Sequence, residues 1–185
     1  MKGLIPQYKG KSIEDFNYTE ANMPKLDINL NHHNGRGLIF MGPSGVGKTF
    51  LASMVMKDAM EKGHKIECIE LSTYIDLNHQ TYKFDADDPR FESAYEHLQY
   101  IKRADYVLFD DIGREHESGS GWSNEMLFNI FRYRWNRCRP TIFTTNMSLP
   151  ALAERYTAGF VSLLHEATEI ILMEGEDYRL CGKAN

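Results

Sequence analysis

Apolar and polar residues form two patterns that alternate along the chain. Short apolar runs bounded by glycine, proline or charged residues predict buried β-strands. Between these runs, apolar residues recur at spacings of about three and four residues, which is the period of an amphipathic α-helix. The predicted strands cover residues 38–41, 65–72, 106–111, 141–146 and 168–173.

The helical pattern has clear interruptions, and these set the predicted ends of the helices. Gly63 ends the first helix, the polar stretch DADDPR at 85–90 divides the second, and Pro140 ends the third, because glycine and proline disrupt regular helical backbone. The predicted helices cover residues 49–62, 73–103, 124–139 and 149–166, the last as one helix or two.

Three segments lack both patterns. Residues 1–36 are polar, with Phe16 and Leu26 as candidate anchors, and we interpret them as a lead-in segment. Residues 114–123 are polar and glycine-rich, which predicts a mobile loop. The stretch EGEDYR at 174–179 predicts a tight turn that leads into a short tail.

The alternation of strands and helices predicts an α/β fold of three layers, with a mostly parallel sheet covered by helices on both faces. One domain is expected, comprising residues 37–180 with a tail of 181–185. Ligands of such sheets bind beyond the carboxyl ends of the strands. Polar sequence follows directly on three predicted strands at Gly42–Thr49, Asp110–Asp111 and Asn146, so we expect these residues to share one site.

The stretch GPSGVGKT, from Gly42 to Thr49, matches the phosphate-binding pattern GxxxxGK[ST] in full. Its glycines allow successive backbone N–H groups to point at a phosphate, and the helix that opens at Lys48 adds the positive end of its dipole. Lys48 is expected on the β- and γ-phosphates and Thr49 on Mg²⁺. The residues expected to bind the nucleotide are Gly42, Pro43, Ser44, Gly45, Val46, Gly47, Lys48, Thr49 and Phe50.

Two acids and an amide complete the predicted site. Asp110 and Asp111 end a buried strand, where carboxylates are costly unless a cation or water satisfies them. Asp110 fits the group that holds Mg²⁺ through water, and Asp111 fits the group that polarises the attacking water. Asn146 ends the next strand, where its amide can hold that water or sense the γ-phosphate, although asparagine is also common in turns. Lys48, Asp111 and Asn146 are the candidate catalytic residues.

Other classes of P-loop protein fit less well. GTPases need a guanine-reading stretch of the NKxD type, and the sequence has none. Small nucleotide kinases need an arginine-rich lid, whereas residues 114–123 are acidic and glycine-rich with one arginine. An extra strand between the P-loop strand and the Asp-Asp strand, followed by a polar sensor strand, indicates the additional-strand class of P-loop ATPases.

Composition narrows the partners and the cellular setting. The formal net charge is -5, so any nucleic-acid contact is expected to be local. Cys68, Cys138 and Cys181 are widely spaced, which disfavours a disulfide framework or a zinc site. The N-terminus lacks the apolar core of a signal peptide, and no apolar run approaches the about 18 residues of a membrane span. We expect a cytoplasmic protein with no membrane partner.

Four stretches taken together resemble one family. They are YVLFDDIG at 106–113, RCRPTIFTTN at 137–146, LAERY at 152–156 and GEDYR at 175–179. This combination is similar to the bacterial helicase-loader ATPases, which are AAA+ proteins of the DnaC and DnaI type, and to their IstB relatives from insertion sequences. YKGKSIEDFN at 8–17 also resembles the lead-in of these proteins.

The resemblance implies an AAA+ P-loop fold of the additional-strand (ASCE) type, with strand order 5-1-4-3-2. It implies ATP and Mg²⁺ held by Lys48, Thr49 and Asp110, with Asp111 as the catalytic acid and Asn146 as the first sensor. It also implies partners, namely further subunits that assemble when ATP is bound, single-stranded DNA and a replicative helicase. ATP would then act as a switch for assembly and release.

Two features depart from the family pattern. Loaders usually carry an additional N-terminal helicase-binding domain, whereas 41 residues precede the P-loop here. The chain is expected to be either an excised ATPase domain or a short version encoded by a phage or mobile element. The family also places an arginine after the ERY stretch, where it reaches a neighbouring subunit's γ-phosphate, and Leu163 stands at that position.

Arg155 is a candidate substitute for this trans arginine, and an ordinary surface charge is an equally good interpretation of it. Because an arginine finger contributes about 10³-fold or more to hydrolysis, we expect weak ATPase activity from the protein alone.

DNA contact is expected between the second and third strands, where the resemblance implies DNA-facing helices. The candidates are the basic residues Lys83, Arg90, Lys102 and Arg103 and the aromatic residues Tyr74, Tyr82 and Phe84. For Tyr74, a position in the core is the alternative interpretation.

Three functions remain open from the sequence. The leading hypothesis is an ATP-dependent helicase loader that acts during initiation of DNA replication. The alternatives are an IstB-like regulator that acts on a transposase and a weakly hydrolysing AAA+ decoy that inhibits a loader. The three differ in the protein partner that each would bind.

Overall fold

The computed structural model describes residues 3–16, 35–115 and 121–181, with side chains through Arg179. The strands are β1 (Gly37–Met41), β2 (Ile66–Glu70), β3 (Tyr106–Asp110), β4 (Thr141–Thr145) and β5 (Thr168–Leu172). The helices are α1 (Lys48–Glu61), α2 (Leu71–Lys83), α3 (Pro89–Arg103), α4 (Trp122–Trp135), α5 (Leu149–Arg155), α6 (Ala158–Ala167) and α7 (Tyr178–Cys181), with single 3₁₀ turns at Pro6–Tyr8 and Ile13–Asp15.

The strands form one parallel sheet in the order β2-β3-β4-β1-β5. Strand β4 therefore lies between β1 and β3. Its Thr144 is paired with Phe40 of β1, and its Phe143 is paired with Phe109 of β3. Counted from the opposite edge, this order is 5-1-4-3-2. The predicted strand order and the predicted three-layer α/β fold are both confirmed.

The strands bury side chains on both faces of the sheet, which explains why their sequences are almost continuously apolar. Successive side chains of a strand point to opposite faces. Leu38 and Phe40 accordingly pack in the cluster covered by α1, whereas Ile39 and Met41 pack in the cluster covered by α2, α3, α4 and α6. Within the described residues, no helix is long and apolar enough to cross a membrane.

The described part of the lead-in segment lies against this domain. Phe16 is buried, which confirms it as an anchor. The backbone N–H of Cys68 donates to the carbonyl of Gly3 at 2.8 Å, so Gly3 covers part of the edge of β2. The Lys57 ammonium on α1 donates to the Lys11 carbonyl at 2.7 Å. Leu26, the other predicted anchor, lies outside the described residues.

The predicted break between α2 and α3 is confirmed. Helix α2 ends at Lys83, and α3 begins at Pro89, the first-turn position at which proline is tolerated. Asp88 caps α3 because its Oδ1 accepts the N–H of Arg90 at 2.8 Å. The polar DADDPR stretch therefore ends one helix and starts the next.

Several predicted boundaries are wrong, among them the start of α2 at Leu71, which lies inside the predicted strand 65–72. Helix α4 begins at Trp122, inside the predicted loop, and ends at Trp135 rather than at Arg139. The N–H groups of Arg137 and Cys138 donate to carbonyls three residues back, and Cys138 has a left-handed φ of +51°, so the chain leaves the helix before Pro140. Helix α7 begins at Tyr178, so the last part of the predicted turn is helical. Residues 116–120 of the predicted loop lie outside the described residues.

Arg134 of α4 is a fully buried cation at the amino end of the sheet. Its guanidinium donates five hydrogen bonds of 2.8 to 3.2 Å. Burial lowers the pKa of Arg134 to about 9. One side chain thus joins α4 to the end of α3 and to the starts of β3 and β4. Its acceptors are the carbonyls of Ile101, Ala104, Asp105 and Pro140 and the hydroxyl of Thr141.

Replacing Arg134 by methionine is expected to lower the free energy of unfolding by about 3 kcal/mol or more, because each buried carbonyl left without a donor costs about 1–3 kcal/mol. Urea denaturation followed by circular dichroism measures the change. Arg132→Met, at an exposed position of the same helix, is the matched control and should stay within about 0.5 kcal/mol of the wild type. Equal losses in the two variants would contradict the role given to Arg134.

Candidate functional site

The loop from Gly42 to Gly47 joins β1 to the start of α1. An added Cβ at Gly42 would lie 2.0 Å from the Met173 carbonyl oxygen, and one at Gly47 would lie 2.4 Å from the Phe16 ring. Gly47 also has a φ of +93°, which only glycine adopts readily. Helix α1 begins at Lys48, so its first N–H groups, which lack partners within the helix, lie at the loop. This arrangement binds phosphate.

Lys48 is held at the centre of the site. The residue is only 6% exposed, and its ammonium donates to the carbonyls of Gly42 and Pro43 at 2.8 and 2.6 Å. A third bond, of 2.6 Å, goes to Oδ1 of Asn146 at the end of β4. Burial lowers the pKa of Lys48, and the nearby Asp111 carboxylate opposes this change. The structure therefore brings two predicted site residues, Lys48 and Asn146, into direct contact.

Asp110 ends β3 beside two hydroxyl groups. Oγ1 of Thr49 and Oγ1 of Thr144 both donate to its Oδ1, at 2.9 and 2.6 Å. Burial raises the pKa of Asp110, while the two hydroxyl groups lower it. Carboxylate, hydroxyl and phosphate oxygens are ligands that suit Mg²⁺. The oxygens of Thr49 and Asp110 thus suit Mg²⁺, the ion that the sequence analysis places there. Their role as Mg²⁺ ligands stays a prediction.

Asp111 connects Asn146 to a cation that the sequence did not single out. Its Oδ1 accepts from Nδ2 of Asn146 at 3.2 Å, and its Oδ2 accepts from Nη1 of Arg114 at 2.8 Å. The Asp111 backbone is left-handed, with φ +58°, and its N–H donates to Oγ1 of Thr144 at 2.8 Å. Lys48, Asn146, Asp111 and Arg114 therefore form one continuous polar chain.

A cavity of about 340 Å³ lies over the P-loop. Six of its lining residues belong to the predicted nucleotide-binding set, and Asp111 and Asn146 also line it. Other lining residues were not predicted from the sequence to belong to this site. Their segments carry part of the family resemblance, but no local pattern marked the individual side chains. These further residues are Tyr8, Asp15, Phe16, Arg114, Thr144, Tyr178 and Arg179.

Four aromatic rings stand at one side of this cavity. Phe16 stacks on Phe50 with ring centroids 5.6 Å apart, and Tyr8 meets Phe50 edge-on at 5.6 Å. Tyr178 meets Phe16 edge-on at 6.1 Å. Flat aromatic surfaces beside a phosphate-binding loop suit the base of a nucleotide.

The segment after β5 returns over the P-loop. The N–H of Met173 donates to the Met41 carbonyl at 2.7 Å, and the N–H of Tyr178 donates to the Gly45 carbonyl at 3.2 Å. Oδ1 of Asp177 accepts the N–H of Arg179 at 2.9 Å, which starts α7. Arg179 thereby lies at the cavity, where its charge further lowers the pKa of Lys48.

The two positions considered for a trans arginine differ in their surroundings. Leu163 is partly buried and packs against the core. Arg155 is bound within its own chain, since its guanidinium donates to the Glu115 carboxylate at 3.2 and 3.3 Å and to the Glu115 carbonyl. A role of Arg155 toward a neighbouring subunit stays a prediction, and it would require this ion pair to open.

The expected DNA-facing residues do not form one surface. Tyr74 is buried against Phe109, so it is a core residue. Arg90 and Lys83 lie over the Phe84 ring, at 3.7 and 5.5 Å from its centroid. Lys102 and Arg103 are at the other end of α3, about 20 Å away at the 1.5 Å rise per helical residue. Tyr82 lies next to Trp122, with ring centroids 5.7 Å apart.

The sheet order and the constellation of a P-loop, two strand-end acids and a strand-end asparagine define a P-loop ATP-binding protein of the AAA+ type. In comparison with protein families, the profile of the IstB-like ATP binding proteins matches residues 7–185. The chain belongs to this family.

Individual relatives agree with this assignment. The replicative helicase loader DnaI of Bacillus subtilis (strain 168) is 27% identical over 124 residues, which cover 66% of this chain and 37% of DnaI. The ATP-binding protein of insertion sequence IS232 from Bacillus thuringiensis subsp. berliner is 29% identical over 152 residues, covering 77% of this chain and 55% of that protein. The chain thus spans less than two thirds of either relative's length.

Among solved structures, the crystal structure of the DnaC helicase loader has the same fold. The TM-score is 0.66 at 29% sequence identity, and the match covers 80% of this chain and 83% of that chain.

Phe16→Leu is expected to weaken the binding of ATP and of ADP by about fivefold each, because it keeps the apolar packing but removes an aromatic contact worth about 0.5–1.5 kcal/mol. Isothermal titration calorimetry measures both affinities. Lys48→Ala should instead weaken ATP more than ADP, since Lys48 is expected on the γ-phosphate. Phe91→Leu on α3, where Phe91 stacks on Tyr95, is the control. Unchanged affinities in Phe16→Leu would contradict the base site.

Proposed function

We propose that this protein is an ATP-hydrolysing AAA+ helicase loader, which acts with single-stranded DNA and a replicative helicase in the initiation of DNA replication. The observation that carries the proposal is the convergence of Lys48, Thr49, Asp110, Asp111 and Asn146 at one edge of the sheet. Similarity to the loaders DnaI and DnaC supports the choice of partner.

Each of these side chains has a role in the proposed hydrolysis. Lys48 exchanges its carbonyl acceptors for β- and γ-phosphate oxygens, while Thr49 and Asp110 would hold Mg²⁺. When bound, this ion would neutralise charge on the phosphates. Asp111 orients a water for in-line attack on the γ-phosphorus, and Asn146 holds Asp111 in place. Because Asn146 also contacts Lys48, the presence of the γ-phosphate is transmitted directly to the group that orients the water.

ATP serves in this proposal as a switch. Subunits assemble through AAA+ interfaces while ATP is bound, and they separate after hydrolysis. The aromatic group of His79, Tyr82 and Trp122 supports contact with single-stranded DNA. Its rings lie 4.4 to 5.7 Å apart, and Tyr82 is 72% exposed. Exposed rings stack on nucleic-acid bases without sequence preference, and Lys83 beside them suits the phosphate backbone.

The test is ATP turnover by the protein alone, with single-stranded DNA, and with DNA plus the replicative helicase of the source organism. Turnover is expected to be slow alone and to change when both partners are added. Asp111→Asn should retain ATP binding and lose turnover, whereas Lys48→Ala should lose both. Asp76→Asn, an exposed acid on α2, is the control. Rapid turnover without partners, or turnover retained in Asp111→Asn, would refute the proposal.

A second candidate function is the regulation of a transposase. The family match over residues 7–185 and the similarity to the IS232 protein favour it. The same assay separates the candidates when the helicase is replaced by the transposase of a neighbouring element. The partner that changes ATP turnover and co-elutes with the ATP-bound protein identifies the function. If neither partner changes ATP turnover or co-elutes with the protein, and the protein inhibits a host loader, the decoy is the function.

Tyr82→Ala is expected to weaken binding of single-stranded DNA by about tenfold, since one base–aromatic stack is worth about 1–3 kcal/mol. Fluorescence anisotropy with a labelled oligothymidine in the presence of ATP measures the affinity. Tyr95→Ala removes another exposed tyrosine, which lies on α3 beside Phe91, and it should leave the affinity unchanged. A similar loss in both variants would show that the contact is not local to Tyr82.

A further inference from the structure

The catalytic end of the sheet needs a cation at the γ-phosphate beyond Lys48. Hydrolysis by P-loop proteins is accelerated when an arginine stabilises the charge of the transferring group, and this arginine can come from the same chain or from a neighbour. Between Arg155 and Arg179 the sequence has no lysine or arginine. Arg155 itself is engaged by the buried carboxylate of Glu115. The stretch around Leu163 therefore offers no cation to a neighbouring site.

Arg114 is already inside the polar chain of the site. It lines the cavity, and its Nη1 lies 2.8 Å from Oδ2 of Asp111. Asp111 links Arg114 to Asn146 by hydrogen bonds, and Asn146 in turn contacts Lys48. No other arginine in the described residues is bonded to Asp111. The charge of Arg114 therefore stands beside the carboxylate proposed to orient the attacking water.

The backbone that carries Arg114 is held on both sides. Before it, the Ile112 N–H donates to the Thr144 carbonyl at 2.9 Å. After it, the Glu115 carboxylate accepts the Gly113 N–H at 2.9 Å and the Tyr156 hydroxyl at 2.7 Å. The side chain of Glu115 is 3% exposed, whereas that of Arg114 is 73% exposed. A fixed backbone thus carries a guanidinium with room to turn into the cavity.

We propose that Arg114 is a catalytic residue that acts in cis, with its guanidinium moving from Asp111 to the γ-phosphate oxygens as hydrolysis proceeds. The inference rests on the proposed ATPase function and names the residue that supplies the cation. The move has two effects, since the guanidinium stabilises negative charge on the transferring group and also leaves the Asp111 carboxylate available to the water.

The step is a simple in-line transfer. The water oxygen forms a bond to the γ-phosphorus while the bond from that phosphorus to the β–γ bridging oxygen breaks. The electron pair of the broken bond stays with ADP, and the proton lost by the water passes by way of Asp111 to solvent. Charge accumulates on the oxygens of the transferring group, where a planar guanidinium donates two parallel hydrogen bonds. Lysine cannot reproduce this geometry.

Arg179 lines the same cavity but has different neighbours from those of Arg114. Its charge acts on Tyr8, on the side of the aromatic rings, and on Lys48. Its backbone is tied to Asp177 in the turn beside Gly45. Arg179 is therefore placed to bind nucleotide, whereas Arg114 is placed at the group that orients the water.

Single-turnover ATP hydrolysis by Arg114→Ala tests the proposal. The rate of the chemical step is expected to fall by about 100-fold or more, while the affinity for ATP changes by less than about threefold. Arg114→Lys should recover only a small part of the rate. Arg137→Ala is the matched control, because Arg137 lies over the Tyr133 ring away from the cavity. A wild-type rate in Arg114→Ala would overturn the proposal.

A mixing experiment separates action in cis from action in trans. Arg114→Ala subunits are mixed with Lys48→Ala subunits, neither of which hydrolyses ATP efficiently alone. If Arg114 acts in cis, the mixture gains no activity at any ratio. Recovery of turnover in the mixture would mean that the arginine of one subunit serves the nucleotide of another, and it would overturn the assignment.

A binding measurement keeps the test independent of turnover. ADP with aluminium fluoride mimics the planar transferring group. Arg114→Ala should bind this combination at least about tenfold more weakly than the wild type and should bind ADP alone equally well. If the wild type hydrolyses no ATP under any condition, the proposed ATPase function fails, and this comparison still decides the role of Arg114. Equal binding of the mimic by both proteins would refute it.

Discussion

The insertion of β4 between β1 and β3 is the constraint on which the site depends. Neighbouring parallel strands lie about 4.8 Å apart, so the carboxyl ends of these three strands bring their loops within hydrogen-bonding reach. Asn146, after β4, contacts Lys48 on one side and Asp111 on the other. Thr144 within β4 bonds both the side chain of Asp110 and the backbone of Asp111. The residue that follows β4 therefore links the lysine to Asp111.

The strands, their order and the phosphate loop were predictable because their signals are local or belong to the family. An apolar run and a glycine pattern can be recognised without knowing what packs against them. The roles of Phe16 and Arg179 could not be predicted in this way. Phe16 reaches the cavity by packing on Phe50, and Arg179 reaches it through the turn at Asp177. Their segments resemble the family, but the position of each side chain depends on distant contacts.

Arg134 shows the same limit in the core. The sequence places it on a helix, where an arginine most often faces water. Its five acceptors come from the end of α3 and from the residues that lead into and begin β3 and β4, which no helical period reveals. The early end of α4 has a similar origin, because the turn through Cys138 packs closely against Gly35. Both features are tertiary in origin and carry no local pattern.

Two cations that are buried in the described part of the chain lie at opposite ends of the sheet. Lys48 is at the carboxyl ends with the groups of the nucleotide site, and Arg134 is at the amino ends with the groups that join α4 to the sheet. The contacts of the nucleotide site and the contacts that join α4 to the sheet therefore have no side chain in common. A substitution among the side chains around Lys48 can change what the site binds while the anchoring of α4 on the sheet stays intact.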